Sequence, residues 1–198
     1  MPEFVCRDCD STFALPQNVL DRYPGWTPRQ CRDCRDGERS KPTRNPNAGS
    51  SPGTDPVSGV FTDGSSSPNP GPGGWGAVYV EDNVIIREAY GYGGDTTNNR
   101  MELMALIEAV DLVPVGTSAT VYSDSNLAVR TINEWAAGWE KRGWKRKSGP
   151  VENLDLVKKA YAAYKNRPEL ELTWIKAHVG FRWNEHADAL ANRGRLEG

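Results

Sequence analysis

The stretch Thr97-Asn98-Asn99-Arg100-Met101-Glu102-Leu103-Met104-Ala105-Leu106-Ile107-Glu108-Ala109-Val110-Asp111-Leu112-Val113 decides how the chain is read. Residues 98–113 support a helix that is apolar nearly all round apart from Glu102, Glu108 and Asp111, and such a helix must lie against a sheet. Glu102 interrupts its apolar first turns. An unpaired buried carboxylate is costly. No basic residue of the helix lies three or four positions from Glu102, so its partner must come from elsewhere.

On the N-terminal side, Val60-Phe61-Thr62 and Trp75-Gly76-Ala77-Val78-Tyr79-Val80 are β-type runs split by the Pro/Gly-rich turn Ser67-Pro68-Asn69-Pro70-Gly71-Pro72-Gly73-Gly74. Val84-Ile85-Ile86 follows the turn Glu81-Asp82-Asn83. Three consecutive strands with short links predict an antiparallel meander. On the C-terminal side come a short strand Thr120-Val121-Tyr122, one or two helices over 127–139, a helix over 153–166 and a last strand over 170–175. A final helix over 184–194 has Asn184 as its cap and Gly194 as its stop. The expected class is α/β, a mixed five-stranded sheet with flanking helices.

The 198 residues suffice for one domain of ordinary size and a small attachment. Residues 37–57 are rich in Gly, Pro, Ser and Asn and hold almost no apolar side chains, so they read as a flexible linker. This divides the chain into a Cys-bearing module at 1–36, the linker at 37–57 and a larger domain at 58–198. No run of about 18 apolar residues exists, and the first residues lack the apolar core of a signal peptide, so a soluble, cytoplasmic chain with no membrane partner is expected. A net charge of −2 excludes a binder that works through bulk positive charge. Any affinity for nucleic acid must therefore come from a local patch.

Three further carboxylates stand in marked surroundings: Asp63 in Phe61-Thr62-Asp63-Gly64-Ser65, Asp124 in Val121-Tyr122-Ser123-Asp124-Ser125, and Asp188 in Glu185-His186-Ala187-Asp188-Ala189-Leu190. Each has a plain structural reading, as a turn residue, a helix cap and a complement to the helix dipole respectively. With Glu102 they form a set that would repel itself unless cations sat between its members. Mg²⁺ suits such a set, because it prefers oxygen ligands and binds through a few carboxylates plus substrate phosphate. Two such ions about 3.5–4 Å apart clamp the attacking and leaving oxygens of an in-line phosphoryl displacement, which implies phosphodiester hydrolysis.

The domain at 58–198 resembles the bacterial-type ribonuclease HI family, enzymes that cut the RNA strand of RNA–DNA hybrids. The resemblance rests on Thr62-Asp63-Gly64-Ser65, Asn69-Pro70-Gly71-Pro72-Gly73-Gly74, Thr97-Asn98-Asn99-Arg100-Met101-Glu102-Leu103, Ser123-Asp124-Ser125 and Trp174-Ile175-Lys176-Ala177-His178-Val179-Gly180. It implies the fold of that family and makes Asp63, Glu102, Asp124 and Asp188 its metal-binding quartet. Asp63 is expected to bridge both ions, Glu102 and Asp124 to complete one side, and Asp188 to hold the ion of the attacking water. Mn²⁺ is an alternative to Mg²⁺. His178, by the same likeness, lies on a mobile loop beside the metals and assists proton transfer or product departure; its plain reading is a surface histidine. His186 reads as structural. Where many relatives carry a small or polar residue after the loop glycine, this chain has Phe181-Arg182-Trp183, a bulky insertion expected to alter loop mobility.

Recognition of a hybrid requires sensing a 2′-hydroxyl on one strand and deoxyribose on the other. The likeness gives Asn69 and Asn98 minor-groove and 2′-hydroxyl contacts, Asn99 the bases or sugars of the DNA strand, and Thr97 a DNA phosphate. Asn69 and Asn98 also read plainly as a turn residue and a helix cap. The basic patch lies at Trp135, Trp139, Lys141, Arg142, Trp144, Lys145, Arg146 and Lys147, with five basic residues against one acidic between 138 and 147. It resembles the family's basic protrusion, where aromatic faces pack on sugars and cations neutralise phosphates. A purely structural role for the Trp residues is the alternative.

Cys6-x2-Cys9 and Cys31-x2-Cys34 resemble a zinc ribbon enclosing one structural Zn²⁺. A redox dithiol lacks the strand–helix context it needs. Residues 1–57 carry eight basic and eight acidic side chains, so charge does not select the module's partner. Arg7, Arg29, Arg32 and Arg35 with Trp26 can touch a hybrid; docking to a protein is the alternative. The expected activity is endonucleolytic cleavage of the RNA strand of hybrids by a monomeric enzyme, leaving 3′-hydroxyl and 5′-phosphate ends. Two rivals are a non-catalytic hybrid-binding or adaptor protein with the same fold and a related nuclease acting on DNA junctions.

Overall fold

The computed structural model describes residues 2–5, 12–14, 17, 27, 55–146, 148–177 and 179–198. The four Cys, most of the linker, Lys147 and His178 lie outside the described residues. The chain divides into two units, Met1–Gly53 and Thr54–Gly198. In the first, β1 (Glu3–Val5) and β2 (Thr12–Ala14) pair antiparallel with Phe4 opposite Phe13, their rings 5.9 Å apart.

The second unit is built on a five-stranded sheet of order β5-β4-β3-β6-β9. Its strands are β3 (Gly59–Ser66), β4 (Gly71–Glu81), β5 (Val84–Thr96), β6 (Ala119–Ser123) and β9 (Leu170–Trp174). The expected meander β3-β4-β5 is antiparallel, and β6 and β9 add in parallel. Side chains alternate between faces along a strand, and both faces here are covered. Val60, Ala77 and Tyr79 enter one core with Leu103, Leu106, Ala109 and Val110 of helix α1 (Asn98–Leu112). Their strand neighbours Phe61, Val78 and Val80 enter a second core with Trp183, Ala187 and Leu190. That explains why β3 reads as an almost continuous buried run.

Between β6 and β9 the chain forms α2 (Asn126–Arg130), one π-helical turn (Thr131–Trp135), α3 (Ala136–Lys141), the small antiparallel pair β7 (Lys145–Arg146) and β8 (Gly149–Pro150), and α4 (Leu154–Lys165). Helix α1 stops at Leu112 because Val113, which precedes Pro114, is extended. Its exposed carbonyls are closed from a distance: the Arg167 guanidinium donates to Val110 O, Val113 O and Pro114 O at 3.1–3.2 Å.

Four expectations need correction. The third strand runs from Val84 to Thr96 rather than ending at Ile86, since Arg87-Glu88 break the apolar run on an exposed stretch and glycines follow from Gly91. The turn ends before Gly71, where β4 begins. The last helix, α5 (Arg182–Leu196), begins before Asn184 and continues through Gly194. Gly194 serves close packing, because a Cβ there would lie 2.5 Å from the Gly91 carbonyl oxygen. Finally, Phe181-Arg182-Trp183 is not a loop insertion. Arg182 and Trp183 open α5, and Trp183, 2 % exposed, donates its indole N–H to Asn83 Oδ1 at 3.1 Å.

Candidate active site

The carboxylates meet where the parallel strands end. Thr62 of β3 pairs with Ser123 of β6, and Asp63 and Asp124 each follow that pair by one residue. Such carboxyl ends are where open α/β sheets form ligand crevices. Gly64 lets α1 approach: a Cβ on it would lie 2.2 Å from the Glu102 backbone nitrogen. The second turn of α1 is thereby held against β3, and carboxylate oxygens of Asp63, Glu102 and Asp124 lie within 4.8 Å of one another. Asp188 reaches the same cleft from α5, and its Oδ1 accepts from Asn192 Nδ2 at 3.0 Å. The cleft has a volume of about 350 Å³.

The electrostatics are those of a site short of positive charge. Burial pushes the Asp63 carboxyl up to about 8, helped by the charge of Asp124 and by a hydrogen bond and charge from Asp188, against a lowering contact from the Gly64 N–H. Burial, then the charges of Asp63 and Asp124, raise Glu102 well above the usual carboxylate range. Glu102 Oε2 is shielded from solvent and has no hydrogen-bond partner. An unpartnered Glu102 oxygen in a cluster with two further acids fits divalent cations, whose charge would favour the ionised forms of Asp63 and Glu102.

Asp124 is fixed at both its ends: its backbone carbonyl accepts from Trp174 Nε1 at 3.0 Å, and its Oδ2 accepts from Asn184 Nδ2 at 3.0 Å. Asn184, Glu185 and Lys176 line the cleft and were missed in the sequence. Asn184 was read as a cap, and no local signal marked Lys176 or Glu185. His186 meets Glu88 Oε2 at 2.9 Å and sets its ring edge-on to Trp183, consistent with a structural role.

The amides named from the sequence also converge. Asn98 Oδ1 accepts from the Ser66 backbone N–H at 2.6 Å and from Ser66 Oγ at 3.0 Å. Asn69 Oδ1 lies 3.2 Å from Ser66 Oγ, competing with Asn98 for its one proton, and accepts from the Asn98 backbone N–H at 3.3 Å, satisfying one of the free donors of α1. Both amides spend their oxygens on the fold, leaving their N–H₂ groups to donate outward. Thr97 is half-buried at the start of α1, Asn99 is exposed, and Arg100 ties α1 to Asp155 of α4 through paired contacts of 2.9 and 2.6 Å.

In the basic protrusion, Trp139 and Trp144 pack against the main core, while Trp135 stands 5.9 Å from Trp139 and under the Arg130 guanidinium. Trp139 and Trp144 thus fix the protrusion to the body of the domain. Lys141, Arg142 and Lys145 are exposed and make no ion pair among the described residues, whereas Arg146 contacts Glu152 at 3.2 Å. Asn99, Trp135, Trp139 and Arg146 share a small cavity of about 70 Å³, apart from the carboxylates.

A family model described as RNase H matches residues 56–195. A ribonuclease H of Methylorubrum extorquens is 44 % identical over 138 residues, covering 70 % of this chain and 60 % of that protein. One from Hahella chejuensis is 44 % identical over 139 residues, covering 70 % of this chain and 93 % of its own length. Among solved structures, LC11 ribonuclease H1 in complex with an RNA/DNA hybrid is 27 % identical with a TM-score of 0.54, covering 70 % of this chain and 96 % of that one. Fold, carboxylate geometry and sequence likeness agree, and the chain belongs to the ribonuclease H family.

Proposed function

We propose that this protein hydrolyses the RNA strand of RNA–DNA hybrids endonucleolytically, leaving 3′-hydroxyl and 5′-phosphate ends. The convergence of Asp63, Glu102 and Asp124 within 4.8 Å, with Glu102 Oε2 unpartnered, carries this reading. Asp63, Glu102, Asp124 and Asp188 hold two divalent cations, Mg²⁺ or Mn²⁺. When bound, these supply Lewis-acid activation of water and neutralisation of charge on the leaving oxygen. Asn69 and Asn98 donate to acceptors of the hybrid's minor groove and its 2′-hydroxyls, a role supported by their spent oxygens. Thr97 and Asn99 contact the DNA strand. Lys141, Arg142 and Lys145, with Arg146 and Lys147, track phosphates from the protrusion, and Trp135, Trp139 and Trp144 shape its surface. His178 assists proton transfer or product departure.

Cys6, Cys9, Cys31 and Cys34 hold one structural Zn²⁺ in a module tethered by the linker, a proposal supported by the Cys spacing. The module tunes affinity for the hybrid or docks a protein. Among the described residues no helix is long and apolar enough to cross a membrane. The enzyme acts as a cytoplasmic monomer on this reading. Incubation with end-labelled hybrid, double-stranded RNA and double-stranded DNA in Mg²⁺ tests the activity. Cleavage confined to the RNA of the hybrid is expected; hybrid binding without cleavage would overturn the catalytic reading.

A further inference from the structure

Asn184 is buried, 6 % exposed, in the first turn of α5 and lines the carboxylate cleft. An amide has a donor end and an acceptor end, and an ionised carboxylate only accepts, so the donor end must face Asp124. That places Nδ2 at 3.0 Å from Asp124 Oδ2. The acceptor end, Oδ1, is then shielded from solvent with no partner. A buried acceptor left empty is costly. Its neighbour Trp183 is wedged in the second core, with the Arg182 guanidinium 4.3 Å from its ring centre, so the backbone is not free to swing the amide out.

The contrast with Asn192, the amide that holds Asp188, is informative. Asn192 Oδ1 accepts from Ser65 Oγ at 3.1 Å and from Arg195 at 3.4 Å, so both its ends are used by the fold. Asn184 lines the cleft with its donor end used and its acceptor end unpartnered, among carboxylates and, of the described residues, a single charged donor, Lys176. With cations bound the cleft carboxylates are ionised and cannot fill that vacancy, because they have no proton to give. A water carried by a bound cation can, once it displaces the packing that shields Oδ1, and Mg²⁺ retains several waters when it binds through carboxylates.

We propose that Asn184 is a positioning residue for the cation site: Nδ2 holds the Asp124 carboxylate in its ligating orientation, and Oδ1 accepts a hydrogen bond from a water of the bound cation. This rests on the divalent-cation reading given above. Residues that orient ligands from behind typically change metal affinity by 10–100-fold when lost.

The test is Mg²⁺ titration calorimetry on the intact chain, since Mg²⁺ is a hard ion that thiolates do not attract. Asn184→Leu keeps the approximate volume and removes both bonds. The expected result is Mg²⁺ binding weakened by about 10-fold or more, with hybrid affinity in the absence of divalent cation unmoved. A variant of native thermal stability whose Mg²⁺ affinity stays within about two-fold of wild type would overturn the proposal. A wild-type chain that binds no Mg²⁺ would overturn the cation reading and this inference with it, so the two failures are distinguishable. Should Asn184→Leu not fold, the side-chain amide resonances of Asn184 in ¹⁵N-labelled wild type decide: they shift on Mg²⁺ addition with the calorimetric midpoint, and unmoved resonances reject the role.

Discussion

The carboxylate cleft and the basic protrusion gather charge in opposite ways. In the cleft, like charges are fixed by four elements of the fold, β3, α1, the end of β6 and α5, and burial keeps Asp63 and Glu102 from ionising easily. In the protrusion, Lys141, Arg142 and Lys145 stand in solvent on a base whose Trp139 and Trp144 are anchored in the core. The first region has paid in advance for a geometry; the second offers charge with little order. Exposed charges act through long-range, salt-screened attraction, whereas a rigid buried cluster acts only where its atoms are placed. Damage to the cleft should therefore appear in turnover, and damage to the protrusion in binding.

The largest effect is expected from Asp124→Asn, which keeps the shape and the Trp174 anchor of the backbone but removes a charge. Turnover on labelled hybrid should fall by at least about 10²–10³-fold, the scale on which a lost electrostatic contact in a dry active site is felt. Hybrid affinity should persist. Near wild-type turnover would break the proposed division between the two regions at its stronger half.

A smaller effect follows from replacing Lys141, Arg142 and Lys145 together by Ala. If each neutralises a phosphate, the slope of log affinity against log salt should flatten by roughly 2–3, and KM at low salt should rise about 10-fold. The turnover number at saturating hybrid should hardly move. A loss confined to turnover would show that the protrusion is not a phosphate surface.

The same contrast separates what could be read in the sequence from what could not. Helix α1 was legible because its apolar pattern is dense, and Glu102 stood out because no neighbour on the helix explained it. The meander is legible through its turns, but β5 reads short because Arg87-Glu88 break its apolar run and Gly91, Gly93 and Gly94 add no pattern beyond them; Gly91 and Gly93 let Trp75 and Met101 pack close. Asn184 and Gly194 followed capping rules and were misread, since α5 uses one to hold Asp124 and the other to approach β5. Trp183 was assigned to a loop although it seats α5 in the second core. Arg167 closing α1 from 53–57 residues away, and Lys176 and Glu185 in the cleft, gave no signal at all. Local sequence rules capture local bonds, while long-range ones use residues of unremarkable type.

The last effect is read on stability rather than on substrate, and it reports on the burial of Asp63 and on the charges around it. An unfolded Asp63 carboxyl ionises near 3.8, and the folded one near 8. Below that window both states are protonated and nothing is lost. As pH rises through it the unfolded state releases its proton first, so the folded state binds more protons and stability falls. Above about pH 8 the penalty is complete. Asp63→Asn removes it, so without added divalent cation the variant should melt higher than wild type at pH 8 and at nearly the same temperature at pH 4. Mg²⁺ binds the ionised form and should raise the wild-type melting temperature at pH 8, little at pH 4, and scarcely at all in the variant. Replacing the exposed cations of the protrusion should leave this pH dependence intact. A variant that gains nothing at pH 8 would mean that ionising Asp63 in the cleft carries no penalty of burial or charge, and the distinction between the two regions would then rest on position alone.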